Sequence, residues 1–217
     1  VMDTGDEALL YEKVCVTYIC SNRKDAIDTI IKNENPDLII LDDGLQDSSI
    51  NKSKSIVAIN GRRGFGNKLL LPAGPLRQSI SSIIHKDYIF LILGEDKTNI
   101  SSKYSNSFFK AEIVSEVDGN NRKIVAFSGI GDNEGFFQIL ENYRFNLIKK
   151  ISFPDHYHFN ESEIKTIVDD AVKDGHEIYT TAKDWVRIDH NYNDKIKQLP
   201  INLEIKDKEK FIEAIFN

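Results

Sequence analysis

At 217 residues, with 41% hydrophobic and 29% charged side chains, the chain has the make-up of a soluble globular protein able to bury a real core. Its net charge of −6 argues against a large nucleic-acid footprint. No signal-peptide pattern is visible, and no apolar run approaches the roughly 18 residues of a membrane span.

Gly5-Asp6-Glu7 reads as a turn feeding a short helix, Ala8 to Lys13, and carboxylates in a first turn suit the helix dipole as caps. Val14 to Ile19 is rich in β-branched residues and predicts a strand. Cys15 and Cys20, five apart, would then point to opposite faces as packing residues, which argues against a disulfide and for a reducing compartment. Ser21 or Asn22 caps a helix whose Ala26, Ile27, Ile30 and Ile31 share one face. Leu38 to Leu41 is a short apolar run of the kind buried on both faces of a parallel sheet, and it ends in Asp42-Asp43-Gly44. Carboxylates at such a tip lie where open α/β sheets bind ligands and where P-loop phosphotransferases hold magnesium. The same letters also spell a plain Asp-Gly turn.

Ser55 to Ile59 is the next strand, followed by a long loop with glycines at 61, 64, 66 and 74 and with Arg62, Arg63, Lys68 and Arg77. Arginine forks and glycine-freed backbone N–H groups match phosphate oxygens, although no G-x-x-x-x-G-K-[ST] occurs. A flexible loop with solvated arginines is the other reading. Ile80 to His85 predicts a short helix, Tyr88 to Leu93 a strand, and 94–107 a polar surface loop. Ala111–Val117 and Lys123–Phe127 flank Asp118-Gly119-Asn120-Asn121, a hairpin signal.

Ser128-Gly129-Ile130-Gly131 leads into a helix carrying Phe136, Phe137 and Leu140, and Phe145 to Ile151 follows as a strand. In Phe153-Pro154-Asp155-His156-Tyr157-His158-Phe159 the histidines could ligate a metal, though no third ligand has convincing spacing. His156 beside Asp155 also suits a proton acceptor, and structural histidines remain open. Glu161 to Asp174 is a helix with Asn160 and Glu163 in capping-box positions, Gly175 after its end, and a stripe of Ile164, Ile167, Val168, Ala171 and Val172. Glu177 to Thr181 and Ile201 to Ile205 read as strands, Lys183 to Ile188 and Glu209 to Phe216 as helices. Thr181 is a candidate cap, with Lys183 and Asp184 read as solvated. Strands alternating with helices predict a largely parallel α/β sheet.

In order, these stretches resemble one family. Gly5-Asp6-Glu7-Ala8-Leu9-Leu10 resembles a GDEPLL box, Asp42-Asp43-Gly44-Leu45-Gln46 a DDGxQ box, and Gly61 to Arg77 a GxRGFGNxxLLPAGPLR stretch. Phe127 to Gly131, Phe153 to Phe159 and Thr181 to Asp184 look like F-x-GIG, FPDHHxF and TEKD. The set is similar to the tetraacyldisaccharide 4′-kinases. The resemblance implies a P-loop-kinase-like, mostly parallel sheet with helices on both faces and a smaller C-terminal α/β lobe joined by a β-ribbon. The corresponding spans would be 1–110, 111–127 and 128–217.

It also implies ATP-dependent phosphorylation of the 4′-hydroxyl of tetraacyldisaccharide 1-phosphate, giving lipid IVA in lipid A biosynthesis. The setting would be peripheral, at the cytoplasmic face of the inner membrane, without nucleic acid. By motif position Asp6 would be the base, working with His156 and supported by Glu7. Asp42 and Asp43 would bind Mg²⁺ and ATP with Gln46 nearby, and Arg62, Arg63 and Arg77 would meet phosphates. The chain departs from the family at Ala8 (proline), Asp47 (histidine) and Ala182 (glutamate).

The family's Walker loop and hydrophobic N-terminal helix precede the GDE box, so an upstream segment is expected before Val1. The alternatives are a truncated, inactive fragment or binding remnant and, more weakly, a metal-dependent hydrolase, which leaves the basic loop without a role. Residues 1–217 alone are expected to show negligible transfer from ATP to the tetraacyl disaccharide; clear turnover in that assay would contradict this.

Overall fold

The computed structural model describes residues 6–84, 88–104 and 107–217, with Asp6 described for its backbone alone. Gly5, His85, Ser105 and Asn106, which the sequence readings above include, lie outside the described residues. In chain order the elements are α1 (Asp6–Tyr11), α2 (Arg23–Glu34), β1 (Ile56–Asn60), α3 (Ile80–Ile84), β2 (Ile89–Leu93), α4 (Ile100–Lys103), β3 (Phe108–Val114) and β4 (Lys123–Ser128). There follow α5 (Asn133–Asn142), β5 (Asn146–Ser152), α6 (Glu161–Lys173), β6 (Glu177–Thr180), α7 (Ala182–Trp185), β7 (Ile196–Gln198), β8 (Asn202–Ile205) and α8 (Lys208–Phe216).

The α/β class expected from the alternation of elements is what the chain adopts. It divides into two compact units, each discontinuous in sequence. One gathers residues up to Ser21 with Ser115–Ile201; the other gathers Asn22–Val114 with Asn202–Asn217. The sequence reading had cut instead at 110 and 127.

In the Asn22–Val114 unit the sheet runs β1-β2-β3-β8, parallel except for β8, which pairs antiparallel with β3. The IFLIL run of β2 is buried on both faces, as a central parallel strand requires. Ile59, Phe65, Ile83, Phe90 and Ile100 pack on one side of this sheet. Ile89, Leu91, Ala111 and Phe211 pack on the other.

The Ser115–Ile201 unit is a four-stranded parallel sheet in the order β5-β4-β6-β7. Alternation along β4 splits its side chains between two cores: Ile124 and Ala126 meet Phe136, Phe137 and Leu140 of α5, while Val125 and Phe127 meet Ile164, Ile167, Val168 and Ala171 of α6. The predicted stripe on α6 is therefore real except for Val172, which is 61% exposed.

Several local expectations are corrected. Ala111–Val117 and Lys123–Phe127 do not form a hairpin, since β3 and β4 belong to different sheets. Nearly every residue of β4 is buried, which suits an interior parallel strand flanked by β5 and β6 and not a two-stranded ribbon. The Asp118–Asn121 turn is instead bound to the end of α5, with Gly119 N donating to Tyr143 O and Asn121 N to Arg144 O.

Val14–Ile19 and Leu38–Leu41 belong to no strand: the Val14 and Cys15 N–H groups turn back to Tyr11 O, and Val14 and Ile40 are each 82% exposed. β-branched composition favours extended backbone, but a strand exists only where a neighbour completes the ladder. Cys15 and Cys20 are accordingly exposed thiols and not packing residues. On α2, Asn22 caps as expected, yet no residue of the helix is fully buried.

The capping box of α6 is formed as predicted: Asn160 N donates to Glu163 Oε2 at 3.0 Å. That backbone N–H, followed by the Tyr157 hydroxyl, holds the Glu163 carboxyl below its ordinary value of 4.5. A depressed folded-state value means stabilisation that is present above the unfolded value and lost as pH falls through the folded one. Glu163→Ala should lower the thermal midpoint by about 2–4 °C near neutral pH. The difference should shrink as melts are repeated at pH values progressively below 4.5; a difference that persists or grows in acid would contradict the assignment.

Candidate active site

In the parallel sheet, the connection leaving β4 leads through α5 to β5 on one side, while that leaving β6 leads through α7 to β7 on the other. The crevice outside the carboxyl ends of β4 and β6 is thus a topological switch point, where α/β sheets bind ligands. Three boxes singled out in the sequence converge there: Ser128–Gly131 after β4, Phe153–Phe159 after β5, and Thr181–Asp184 after β6.

The aromatic residues of the second box anchor it. Phe153 and Phe159 stand edge-on to Phe127, with ring centroids 6.3 and 5.5 Å away, and Tyr157 stacks on Phe153 at 4.7 Å. The Tyr157 hydroxyl donates to Glu163 Oε1 at 2.8 Å, and this bond raises the phenol above its ordinary value. Asp155, His156 and His158 lie between the anchors and are exposed.

His156 adopts φ 56°, an uncommon left-handed conformation for a residue with a side chain. It is fixed by His156 N donating to Gly129 O at 3.1 Å and to Asp155 Oδ1 at 3.0 Å. Asn133 adds a second tie: its Oδ1 accepts from Ile130 N at 3.2 Å and its Nδ2 donates to Phe153 O at 2.8 Å.

The third box contributes a group that the sequence reading had treated as solvated. Asp184 is fully buried. Its Oδ2 accepts from Gly129 N at 3.0 Å and from Thr181 Oγ1 at 2.7 Å, and its Oδ1 faces Arg187 Nη1 at 3.5 Å. Thr181 caps α7, its hydroxyl accepting from Asp184 N at 3.1 Å. Arg187, which no motif flagged, extends from Gly129 O to His156 Nδ1. Lys183 Nζ donates to the Glu7 carboxylate, so α1 and α7 are tied by an ion pair between two expected site boxes. The Asp6 side chain lies outside the described residues.

The other predicted residues fall in the Asn22–Val114 unit. Asp43 is left-handed, with φ 47°, and its Oδ2 accepts from Arg77 Nη1 at 2.6 Å, which raises the guanidinium above its ordinary value. Arg23 Nη2 donates to Asp42 O at 2.9 Å, and Arg23 Nη1 pairs with Asp47 at 3.5 Å. Asp47 is held below its usual range first by the Ser49 hydroxyl and then by the Ser49 backbone N–H; Arg23 adds to this. Gln46 is exposed.

Arg62 and Arg63 start the long loop at the carboxyl end of β1, their backbone N–H groups donating to Asn60 Oδ1 at 3.0 and 3.3 Å. The loop is well hydrogen-bonded: Leu71 N donates to Leu76 O, Gly74 N to Leu70 O, and Asn67 Nδ2 to Ala73 O. A Cβ at Gly61 would run into the Glu95 carbonyl, and Gly64 has φ 55°.

Asp42 and Asp43 offer the hard oxygens that magnesium takes from one or two carboxylates, so the donor set fits that ion, although Arg77 engages one oxygen of Asp43. Among the described residues no group of three His, Cys, Asp or Glu side chains could hold a metal ion.

Two stability outcomes follow. Asp184→Ala would leave the Arg187 guanidinium without its buried partner and free Gly129 N, at about 3–5 kcal/mol; an unchanged urea midpoint would contradict the burial. Ser128 Oγ is buried without a hydrogen-bond partner among the described residues. Ser128→Ala should therefore leave the midpoint unchanged or raise it, and a clear drop would show that the hydroxyl has a partner.

Comparison with known proteins gives a consistent result. The family profile described as tetraacyldisaccharide-1-P 4′-kinase matches residues 1–217. The tetraacyldisaccharide 4′-kinase of Rickettsia typhi is 34% identical over 99% of this chain and 68% of its own length. That of Rhizobium rhizogenes is 35% identical over 85% of this chain and 54% of its own. Among solved structures, LpxK of Aquifex aeolicus in complex with ATP superposes with a TM-score of 0.63 at 22% identity, over 89% of this chain and 61% of that one. The chain thus spans about two thirds of the Rickettsia relative and less of the other two.

Proposed function

The chain belongs to the tetraacyldisaccharide-1-phosphate 4′-kinase family, and we propose that the protein it builds transfers the γ-phosphoryl group of ATP to the 4′-hydroxyl of a tetraacylated disaccharide 1-phosphate. The product would be lipid IVA, in lipid A biosynthesis. The observation that carries this reading is the convergence of three family boxes at the carboxyl ends of β4, β5 and β6, with His156 held in an uncommon backbone conformation by Gly129 and Asp155. Strain kept in place by several hydrogen bonds marks functional positions more often than plain loops.

Phosphoryl transfer asks a protein mainly for positioning and for charge neutralisation, with a base for the attacking hydroxyl. Under this reading Asp6 accepts the proton of the 4′-hydroxyl, His156 orients that carboxylate, and Glu7, tied to Lys183, fixes the start of α1. Arg62, Arg63 and Arg77 meet phosphate oxygens, and Asp42 and Asp43 would hold Mg²⁺ with Gln46 beside them. The ion supplies charge neutralisation on the phosphates when bound. Arg77 already pairs with Asp43, so an incoming phosphate would compete with that carboxylate for the guanidinium. No described helix is long and apolar enough to cross a membrane, and the setting we propose is peripheral association with the cytoplasmic face of the inner membrane.

The test is a phosphotransfer assay on the full-length protein with labelled ATP and tetraacyl disaccharide 1-phosphate. Asp6→Ala and His156→Ala should each lower kcat by roughly 10²–10⁴-fold with little change in KM. Asp42→Asn should raise the Mg²⁺ concentration needed for half-maximal rate. Full turnover in the first two variants would remove those residues from the mechanism, and an unchanged metal requirement would remove Asp42.

A further inference from the structure

We propose that Arg187 is a positioning residue that holds the His156 ring with Nδ1 as a hydrogen-bond acceptor and its proton on Nε2. The inference rests on the kinase reading for the use made of His156, but its physical content does not.

The geometry is a chain of contacts running outward from the core. Asp184 is fully buried, and the side chain of Arg187 is 7% exposed. Arg187 Nη1 lies 3.5 Å from Asp184 Oδ1 and 3.4 Å from Gly129 O, which sets the plane of the guanidinium. Its other terminal nitrogen, Nη2, lies 3.2 Å from His156 Nδ1. A guanidinium has five N–H donors and no acceptor, and it stays charged. The imidazole must therefore accept at Nδ1. A ring that accepts at Nδ1 carries its proton on Nε2, and the doubly protonated ring would set two N–H groups against each other.

The backbone around His156 reinforces this. Gly129 links both partners: its N–H donates to Asp184, and its carbonyl accepts from His156 N and from Arg187. Moving the guanidinium would disturb the same peptide that holds the histidine backbone. The arrangement resembles the orienting partner of a catalytic histidine, with one difference. A carboxylate at Nδ1 prepares a histidine to accept a proton at Nε2, whereas an arginine at Nδ1 prepares it to donate one there.

This assigns the direction of proton traffic in the proposed reaction. The O–H bond of the 4′-hydroxyl breaks as its oxygen bonds to the γ-phosphorus, and the bond from that phosphorus to the β–γ bridging oxygen breaks with its electron pair leaving on ADP. The hydroxyl proton goes to a carboxylate, Asp6 under the reading above. His156 Nε2–H serves as a hydrogen-bond donor that aims that carboxylate and does not itself take the proton.

The test is long-range proton–nitrogen NMR on the protein labelled with [¹⁵N]histidine, with the His156 signals identified by their loss in His156→Gln. The expected result is an unprotonated Nδ1 and a protonated Nε2 for His156 in the unsubstituted protein. Protonation at Nδ1 would overturn the proposal, whether or not any variant folds and whether or not the protein phosphorylates a lipid. In Arg187→Gln, whose amide can donate or accept, the ring should populate both tautomers, and kcat should fall by roughly ten- to a hundredfold with KM little changed. Arg187→Lys should retain the Nε2–H form and recover much of kcat. An unaltered tautomer and kcat in a folded Arg187→Gln protein would also overturn it.

Discussion

One buried carboxylate organises the end of the parallel sheet. Asp184 sits on the short helix after β6 and accepts from the backbone of Gly129, which follows β4, so it joins two strand ends across the switch point. Removing an aspartate from water is costly, and it is kept charged only where donors converge on it. Here these are a backbone N–H, the Thr181 hydroxyl and the Arg187 guanidinium. The consequence is geometric: the loops after β4 and β6 are held together by a charge that neither alone could bury, and the loop after β5 joins them through His156, which bonds Gly129 O and meets Arg187. His156 inherits its position from that arrangement.

Much of this was legible from the residues, for reasons that differ by element. The helix α6 combines a cap, a capping glutamate and an apolar stripe, and all three signals agree, so its limits were read within a residue. Signals of composition alone did less well. The apolar runs at Val14–Ile19 and Leu38–Leu41 indicate a preference for extended backbone, while pairing depends on a neighbour that no local pattern encodes. The Asp118–Asn121 turn reads as a hairpin because turn chemistry is local, whereas the burial of β4 on both faces, which decides its partners, is spread over the whole unit. The site residues divide in the same way. Ordered motif boxes point to His156, Glu7, Asp42 and Asp43. Asp184 and Arg187 were missed as a pair because a charge in a helix start reads as solvated unless its burial is known. The one available hint was Thr181, a cap three residues before an aspartate.

The Asn22–Val114 unit shows a different economy of charge. Two opposite-charge pairs lie at or near its surface, Asp43 with Arg77 between two loops and Asp47 with Arg23, the first residue of α2. Such pairs contribute little to stability, so they are easily exchanged for other partners. Under the proposed function, the Arg77–Asp43 pair suits a ligand bearing both phosphates and a divalent ion, since each half of the pair can take the matching half of the ligand. The long loop is braced by its own backbone bonds, and Arg77 at its end reaches Asp43.

The strand β8 has a consequence for biosynthesis. It closes the edge of a sheet whose other strands lie between Ile56 and Val114, and it arrives only after the whole of the Ser115–Ile201 unit has been made. A nascent chain therefore completes the Ser115–Ile201 unit before the Asn22–Val114 unit. Until Asn202–Ile205 leaves the ribosome, β3 carries a row of unpaired N–H and C=O groups, the kind of edge that invites pairing with another chain. The order of synthesis thus exposes this unit to misassembly for as long as the other takes to emerge, and Asn202–Ile205 acts as its internal guard.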